Sequence, residues 1–534
     1  VSELPVFLLS VLYTLVTLWL TVYGLNSWVL VVLYWRHRRH ARHAPPLPRE
    51  RLPAVTVQLA VYNEQHVVER LLDAVAALDY PRDRLQVQVL DDSTDGTARL
   101  VEARAARHRA QGLDIEVLHR AERRGFKAGA LAEGLARARG EFIAIFDADF
   151  RPHPDFLLRT IPHLVADPSL GMVQARWTYL NADYSLLTRL QALALDGHFV
   201  VEQTARSRAG LPLHFNGTAG VWRRACIEAA GGWQWDTLCE DLDLSYRAQV
   251  AGWRFLYLPD VEGPSELPPQ VLAFKRQQAR WAQGAIQCLR KLFRPLVTSR
   301  HLSPVQKLMG MLHLSAYLIY PLMLAMVLLA LPLQFYPRAA QGPLWLLTPA
   351  CLGPILVYVT AQREVAADWG RRLLFFPLTA LVGMGIAWSN VRGIWAGFRH
   401  WGGEMVRTPK FNLEGRRGDW SHSNYRLQHD PAVVGEVTLA LYALAAAAVA
   451  CLRGGWGALP YLLLYALSFG TVAVLSLREM AAPRRRPPIR RKTLETPGEG
   501  TAPVPVELMA RREESQATQA HSISHTPPCG GLSV

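Results

Sequence analysis

Acidic pairs recur through the first half of the chain, and each stands where an apolar run ends. VQVLDDSTDGT places Asp91 and Asp92 at the close of one such run. Carboxylates at a strand end can accept hydrogen bonds from ribose hydroxyls or a base N–H. An Asx-turn or a helix N-cap uses the same residue types, and Asp95–Gly96 is read as such a turn. FIAIFDADF repeats the arrangement with Asp147 and Asp149. Alternate residues of an extended chain project to one side, so these two carboxylates can share a hard divalent cation that bridges a diphosphate. A lone DxD is common in turns. One that closes five apolar residues, in a chain with a second strand-end Asp pair, carries more weight.

CEDLDLSYRAQVAGW clusters Glu240, Asp241 and Asp243 where a helix begins. The helix dipole accounts for Asp243, whereas Glu240 and Asp241 are placed to face a cleft, where a carboxylate can take the proton of an acceptor hydroxyl. RRGFKAGAL offers Lys127 ahead of a small-residue helix, within reach of a phosphate or free in solvent. In HFNGTAGVWRR, Gly217 and Gly220 suit a tight loop, either where a ligand approaches backbone or simply as a turn. In QQARW, Gln277, Arg280 and Trp281 fall on about a third of a helix circumference. An indole can stack on a sugar ring, and Gln and Arg can bind hydroxyl or diphosphate oxygens. The same side chains also anchor a helix at a membrane interface.

Several kinds of element must position these residues. Between Ala54 and Pro264, VTVQLAV, VQVLDD, IEVLHR and FIAIFDAD alternate with amphipathic stretches of helix length, which predicts a doubly wound, mostly parallel α/β sheet with ligands beyond its carboxyl edge. Outside that region the chain is apolar in blocks: Pro5–Trp35, Leu308–Leu333, Leu344–Ala361, Leu373–Phe398, Ala432–Leu452 and Ala458–Leu477. Each is long enough to cross about 30 Å of hydrocarbon. Trp388, Arg392, Trp395 and Arg399 suit an interfacial helix, so Leu373–Phe398 is placed in or on the interface and five crossings are expected. The order predicted is an N-terminal transmembrane anchor (1–35), a basic linker (36–53), the α/β domain (54–264), interfacial helices with QQARW (265–300), a transmembrane hairpin (301–361), an interfacial helix and loop (362–431), a second hairpin (432–478) and a disordered basic tail (479–534).

The chain has 534 residues, half of them hydrophobic, and a net charge of +14. The positive charges cluster beside membrane segments, at Arg36, Arg38, Arg39 and Arg42 and at Arg484–Arg486, Arg490, Arg491 and Lys492. The positive-inside rule accounts for that placement, and no nucleic-acid partner is expected. The six cysteines are scattered without a CxxC pair, which fits a reducing compartment.

The Asp pair, DxD, Glu-Asp and QxxRW, in this order and between membrane segments, resemble the family 2 inverting glycosyltransferases of the cellulose-synthase type, most of all the cellulose-synthase-like A group of mannan and glucomannan synthases. QLAVYNE, LDDSTDGT, RRGFKAGAL, HFNGTAGVWRR, CEDLDLSYRAQVAGWRFLYLPD and SELPPQVLAFKRQQARW carry the resemblance, across residues 58 to 281. It implies a GT-A, Rossmann-like domain. By resemblance Tyr62, Asn63, Glu64, Asp91, Asp92 and Lys127 bind the donor nucleotide, and Asp147 and Asp149 hold its diphosphate and a metal, Mg2+ or Mn2+. Asp241, beside Glu240, is the implied base, with Gln277, Arg280 and Trp281 closing the site over donor and acceptor. MVRTPK resembles the F-x-V-T-x-K gating loop of cellulose synthases; Met405 and Arg407 replace Phe and Val, so only Thr408 and Lys410 carry over to the nucleotide.

Two activities fit this pattern: processive extension of a β-linked hexose polymer from UDP-glucose or GDP-mannose, and transfer of one sugar to a lipid, as in ceramide glucosyltransferase-like enzymes. A catalytically silent transporter or scaffold would not need acidic groups at every expected position. The expected setting is the plasma membrane, with several crossings and a cytoplasmic catalytic domain. The expected partners are a nucleotide-sugar donor and a glycan or lipid acceptor, with a homo-oligomer or an accessory export subunit as further candidates for so thin a bundle.

Overall fold

Apolar character gives two different elements in this chain. Over Glu3–His37 it gives one helix of 35 residues, α1. Over six or seven residues bounded by turns, largely apolar runs give strands buried on both faces, such as β1 (Val55–Val61), β2 (Leu85–Asp91) and β4 (Phe142–Asp147); Thr56 and Gln58 of β1 are buried against Gln86 and Gln88 of β2 and hydrogen-bond to them. The computed structural model describes residues 3–39, 44–336, 339 and 344–482. The predicted basic tail beyond residue 482, Arg42 of the linker and Cys529 lie outside them.

With β3 (Asp114–His119), β5 (Leu170–Tyr179), β6 (Gly220–Arg223) and β7 (Arg254–Ser265), these strands form a seven-stranded sheet in the order β3-β2-β1-β4-β6-β5-β7. β1 is parallel to both β2 and β4, and β2 to β3, while β6 is antiparallel to both its neighbours. Register matters most for the site. Val61 pairs with Asp91, and Ala60 with Asp147, so β1, β2 and β4 end side by side. The residues that follow them share one edge of the sheet. On one face α2 (Val68–Ala76), α3 (Thr97–Ala110) and α5 (Phe156–Ala166) bury Val68, Leu71, Val101, Phe156 and Ile161 against β1 and β4. On the other, α4 (Phe126–Arg137), α8 (Arg224–Ala229) and α9 (Glu240–Val250) pack Leu131, Ile227 and Leu244 against Ile143, Ile145 and Trp222. Between α5 and α8 the chain also forms α6 (Leu186–Asp196) and α7 (Gln203–Arg208).

Residues 271–298 form a single helix, α10 (Val271–Thr298), which carries QQARW. α11 (Pro304–Leu314) follows, started by a capping box between Ser303 and Gln306. The predicted span Leu308–Leu333 therefore divides at Ser315, and the apolar helix long enough to cross runs Ala316–Phe335, with α12 (Ile319–Phe335) as its regular part. α13 (Leu344–Val365) lies beside α1 in the same direction: Trp28 Nε1 donates to Pro349 O (2.8 Å), and Arg38 pairs with Glu364 (2.6 Å). α14 (Trp369–Leu373) leads into α15 (Phe376–Gly385) and α16 (Ala387–Arg399), and the chain bends by 42° at the break after Gly385. α17 (Ala432–Leu452) and α18 (Leu459–Ala481) are neighbours. Among the described residues α1, Ala316–Phe335, α17 and α18 are long and apolar enough to cross a membrane, and the bent pair gives a fifth candidate.

The QQARW helix is fastened to these apolar helices. The Glu479 carboxylate of α18 accepts the N–H groups of Val271 (2.8 Å) and Leu272 (3.1 Å), which the first turn of α10 would otherwise leave unpaired. Lys275, fully buried, pairs with Asp430 (2.7 Å) and Glu436 (2.5 Å). α16 lies against the next two turns, where Gly393 and Gly397 admit the backbone of Ala279 and Gln283; a Cβ at Gly393 would stand 2.3 Å from the Ala279 carbonyl.

Candidate active site

The chain leaves β1 through Tyr62, Asn63 and Glu64. Asn63 adopts a left-handed φ of 54°, which Asn tolerates better than most residues, and its N–H donates to Ser93 Oγ (2.9 Å) in the loop after β2. The two loops are thereby joined. Asp91 and Asp92 diverge. Asp91, 1% exposed, accepts the Ser93 N–H (3.0 Å) and contacts His119 Nδ1 (3.0 Å), so it braces the loop instead of facing the cleft. Asp92 takes two bonds from Arg120, at 2.7 and 2.5 Å. Arg123 stacks over the Tyr62 ring, 3.5 Å from its centroid.

At the end of β4 each DxD carboxylate is matched to a lysine. Lys127, near the start of α4, reaches Asp147 (2.5 Å) and the Gly217 carbonyl (2.8 Å). Burial pulls its ammonium down, but Asp147 and Glu240 outweigh that and hold it raised. Asp149 receives Lys410 (2.7 Å) and the Glu266 N–H (3.0 Å). The Asp147 N–H donates to Thr218 Oγ1 (2.9 Å). Buried Gln174 of β5 bonds to the backbone of Asn216, Thr218 and Ala219 and so fixes the loop that contains Gly217.

Gly217 is the point of closest approach. Its φ is +83°, and a Cβ there would lie 3.0 Å from Asp241 Oδ2 and 3.6 Å from Lys127 Nζ. Asp241 and Lys127 therefore flank the same backbone atom. Glu240 and Asp241 open α9 as predicted. Burial raises both carboxyls; Glu240 raises Asp241 further, while Lys127 and Arg280 pull both down. Arg280 thus sits close to the pair. Trp281, half-buried, packs against the cluster of Cys239, Leu242 and Tyr246, and Gln277 lies half-buried one turn before Arg280. Gln287, further along α10, accepts the Leu238 N–H (2.8 Å) and donates to the Gly402 carbonyl (2.7 Å). The turn before α9 and the segment after α16 are tied to one helix.

Residues 405–413 cross over the donor-side residues. Arg123 donates to Met405 O (3.3 Å), Arg407 faces Glu64 (3.0 Å), Thr408 is half-buried, and Lys410 bonds to the Glu266 carbonyl (2.5 Å) as well as to Asp149. Burial, against the pull of Arg407, pushes Glu64 up to about 8. The residues that sequence reasoning overlooked hold this loop. Glu266, 1% exposed, accepts the Phe411 (2.7 Å) and Leu413 (3.0 Å) N–H groups. Arg70 donates to Asn412 Oδ1 (2.7 Å) and to Asp149 O (3.2 Å). Tyr425 lies under Arg407, 4.0 Å from the guanidinium carbon, and its hydroxyl donates to Asp95.

The family model described as "Glycosyltransferase like family 2" matches residues 53–284. Glucomannan 4-beta-mannosyltransferase 2 of Arabidopsis thaliana is 40% identical over 364 residues, which cover 65% of this chain and 67% of that protein. The probable glucomannan 4-beta-mannosyltransferase 3 of Oryza sativa subsp. japonica is 48% identical over 45% of this chain and 44% of its own length, so that match spans less than half of the rice protein. Among solved structures, a mannosyltransferase from Pyrobaculum calidifontis in complex with GDP-Man and Mn2+ is 25% identical, with a TM-score of 0.48, over 72% of this chain and 99% of that one. The chain belongs to the family 2 glycosyltransferases, within the cellulose-synthase-like group that contains the glucomannan 4-β-mannosyltransferases.

Proposed function

We propose that the chain is a membrane-embedded, processive and inverting glycosyltransferase that passes a hexose from GDP-mannose or UDP-glucose to the end of a growing β-1,4-linked polysaccharide. The observation that carries this reading is the cleft around Gly217, where Lys127 and the strand-end carboxylate Asp147 meet Asp241 at the start of the next helix. A donor diphosphate on the β4 side and an acceptor hydroxyl beside Asp241 would then lie on opposite sides of the transferred sugar carbon.

In this reading Tyr62, Asn63, Asp92 and Arg123 bind the nucleoside, and Lys127 and Lys410 meet the diphosphate. Asp241 takes the acceptor proton as that oxygen attacks the anomeric carbon in line with the departing diphosphate, so an α-linked donor yields a β-linked product. Its raised affinity for protons suits a base that works near neutral pH. Gln277, Arg280 and Trp281 close the site, with the indole as a platform for the acceptor ring.

Asp147 and Asp149 fit a divalent cation as hard oxygen donors; Lys127 and Lys410, which occupy them in this structure, would turn to the diphosphate as the cation binds. Among the described residues no group of three or more His, Cys, Asp or Glu side chains comes together, so a cation here would complete its shell with diphosphate oxygens and water. Bound Mg2+ or Mn2+ would supply charge neutralisation to the leaving diphosphate. The membrane proposed is the plasma membrane with the sheet domain on its cytoplasmic face, supported by Arg36, Arg38 and Arg39 at the end of α1. A second copy or an export subunit is the partner a bundle of so few helices would call on.

The test is to supply the purified chain in lipid with labelled GDP-mannose or UDP-glucose and to size the product. A polymer is expected, with turnover lost in chelator and restored by Mg2+ or Mn2+. A glycolipid carrying a single sugar would replace the polymer reading with the lipid-acceptor one, and chelator-resistant turnover would remove the metal.

A further inference from the structure

Arg407 stands where the gating pattern that MVRTPK resembles has a valine, so an apolar position has become a cation inside the donor cleft. Its side chain is 17% exposed, and Nη1 lies 3.0 Å from Glu64 Oε2 without the alignment of a hydrogen bond. Both atoms are buried, and among the described residues each has only this misaligned ion-pair contact with the other and no well-formed hydrogen bond. Buried polar groups are otherwise nearly always fully satisfied. Here two poorly satisfied atoms face each other next to Lys410 and Asp149 in the candidate donor site. The guanidinium carbon lies over the Tyr425 ring, 4.0 Å from its centroid. Met405 and Lys410, on either side, are bonded to Arg123 and to Asp149, so the loop holds Arg407 beside the DxD carboxylates.

We propose that Arg407 is a diphosphate-binding residue of the donor site, exchanging its contact with Glu64 for phosphate oxygens when a nucleoside diphosphate enters. The inference rests on the transferase reading above. A guanidinium presents paired N–H groups that match phosphate oxygens bidentately, and it does so without giving up its charge. Burial keeps Glu64 close to its neutral form near pH 7, which leaves Arg407 only a weak counter-charge to give up. On this account the protein uses three cations for the phosphates: Lys127 from α4, and Arg407 and Lys410 from the loop.

The test compares nucleoside diphosphates with monophosphates on the full chain in lipid nanodiscs with Mg2+. Arg407→Val, which restores the residue of the resembling pattern, is expected to weaken GDP or UDP by about ten- to a hundredfold. GMP or UMP should change by about twofold or less, and Arg407→Lys should recover part of the loss, as a charge without the fork would. Unchanged GDP and UDP affinity in Arg407→Val would overturn the proposal. So would an equal loss of monophosphate and diphosphate, which would mark Arg407 as support for the loop. A wild-type chain that binds neither GDP nor UDP would overturn the transferase reading itself, and this inference with it.

Discussion

Glu266→Gln isolates the attachment of the 405–413 loop. The native carboxylate accepts two backbone N–H groups, Phe411 at 2.7 Å and Leu413 at 3.0 Å, with Arg70 3.8 Å away. An amide retains one acceptor and turns an NH2 group toward the other backbone N–H. One charge-assisted hydrogen bond is lost, and a donor is left facing a donor. Hydrogen bonds to charged groups contribute about 1.5–3 kcal/mol, and at 1% exposure Glu266 has no solvent to soften the loss. The loop keeps Lys410 on Asp149, Arg70 on Asn412 and Arg407 on Glu64, so the deficit falls on its closed position and not on the sheet. A shift of about 2 kcal/mol lowers the ratio of closed to open loop about thirtyfold. The donor KM is expected to rise about tenfold or more with a smaller change in kcat, and amide exchange at Phe411 and Leu413 to quicken by a comparable factor. Unaltered exchange at those two amides, together with an unaltered KM, would refute the reasoning.

Asp241→Asn is expected to lower sugar transfer about 10²–10⁴-fold while nucleoside diphosphate binding persists. Because burial and Glu240 raise Asp241, the acid limb of the wild-type pH–rate profile should stand closer to neutral than an ordinary aspartate would place it; a limb in the usual carboxylate range would contradict the assignment. Gly217→Ala puts a methyl 3.0 Å from Asp241 at a φ of +83°, and thermal melting should register about 1–2 kcal/mol of lost stability alongside a larger fall in kcat. Glu64 carries a pH dependence of its own: a carboxyl raised from 4.5 to about 8 binds more protons folded than unfolded, so its contribution to stability declines as pH rises through that window. Melting temperatures of Glu64→Gln should lose that slope, and a slope equal to the wild type's would place its source elsewhere.

One rule, an acid directly after an apolar strand, explains both what the sequence disclosed about the site and what it concealed. β1, β2 and β4 are short, regular and buried on both faces, so their ends are visible as the points where apolar runs stop, and the parallel register brings those ends together. Asp92, Asp147 and Asp149 were found that way. The contacts of Arg407, Tyr425 and Lys275 are hidden for a different reason: their partners Glu64, Asp95 and Glu436 lie far off in the chain, and only the folded path of residues 400–436 brings them together. Glu266 is the instructive case, because it obeys the rule. It follows β7 at Ser265 just as Asp92 follows β2 at Asp91. The strand before it is what escapes notice. β7 is an edge strand interrupted by Pro259, Gly263 and Pro264, with a register break opposite Ala175 and Arg176. Such residues are tolerated at a sheet edge and read locally as turn, so RFLYLPDVEGPS looks finished several residues early. Beyond the break the pairing resumes in a shifted register, from Arg176 with Glu262 to Tyr179 with Ser265, and delivers Glu266 to the cleft, where it takes hold of the loop that crosses the donor site. The irregularity that erases the strand from the sequence is also what places the residue.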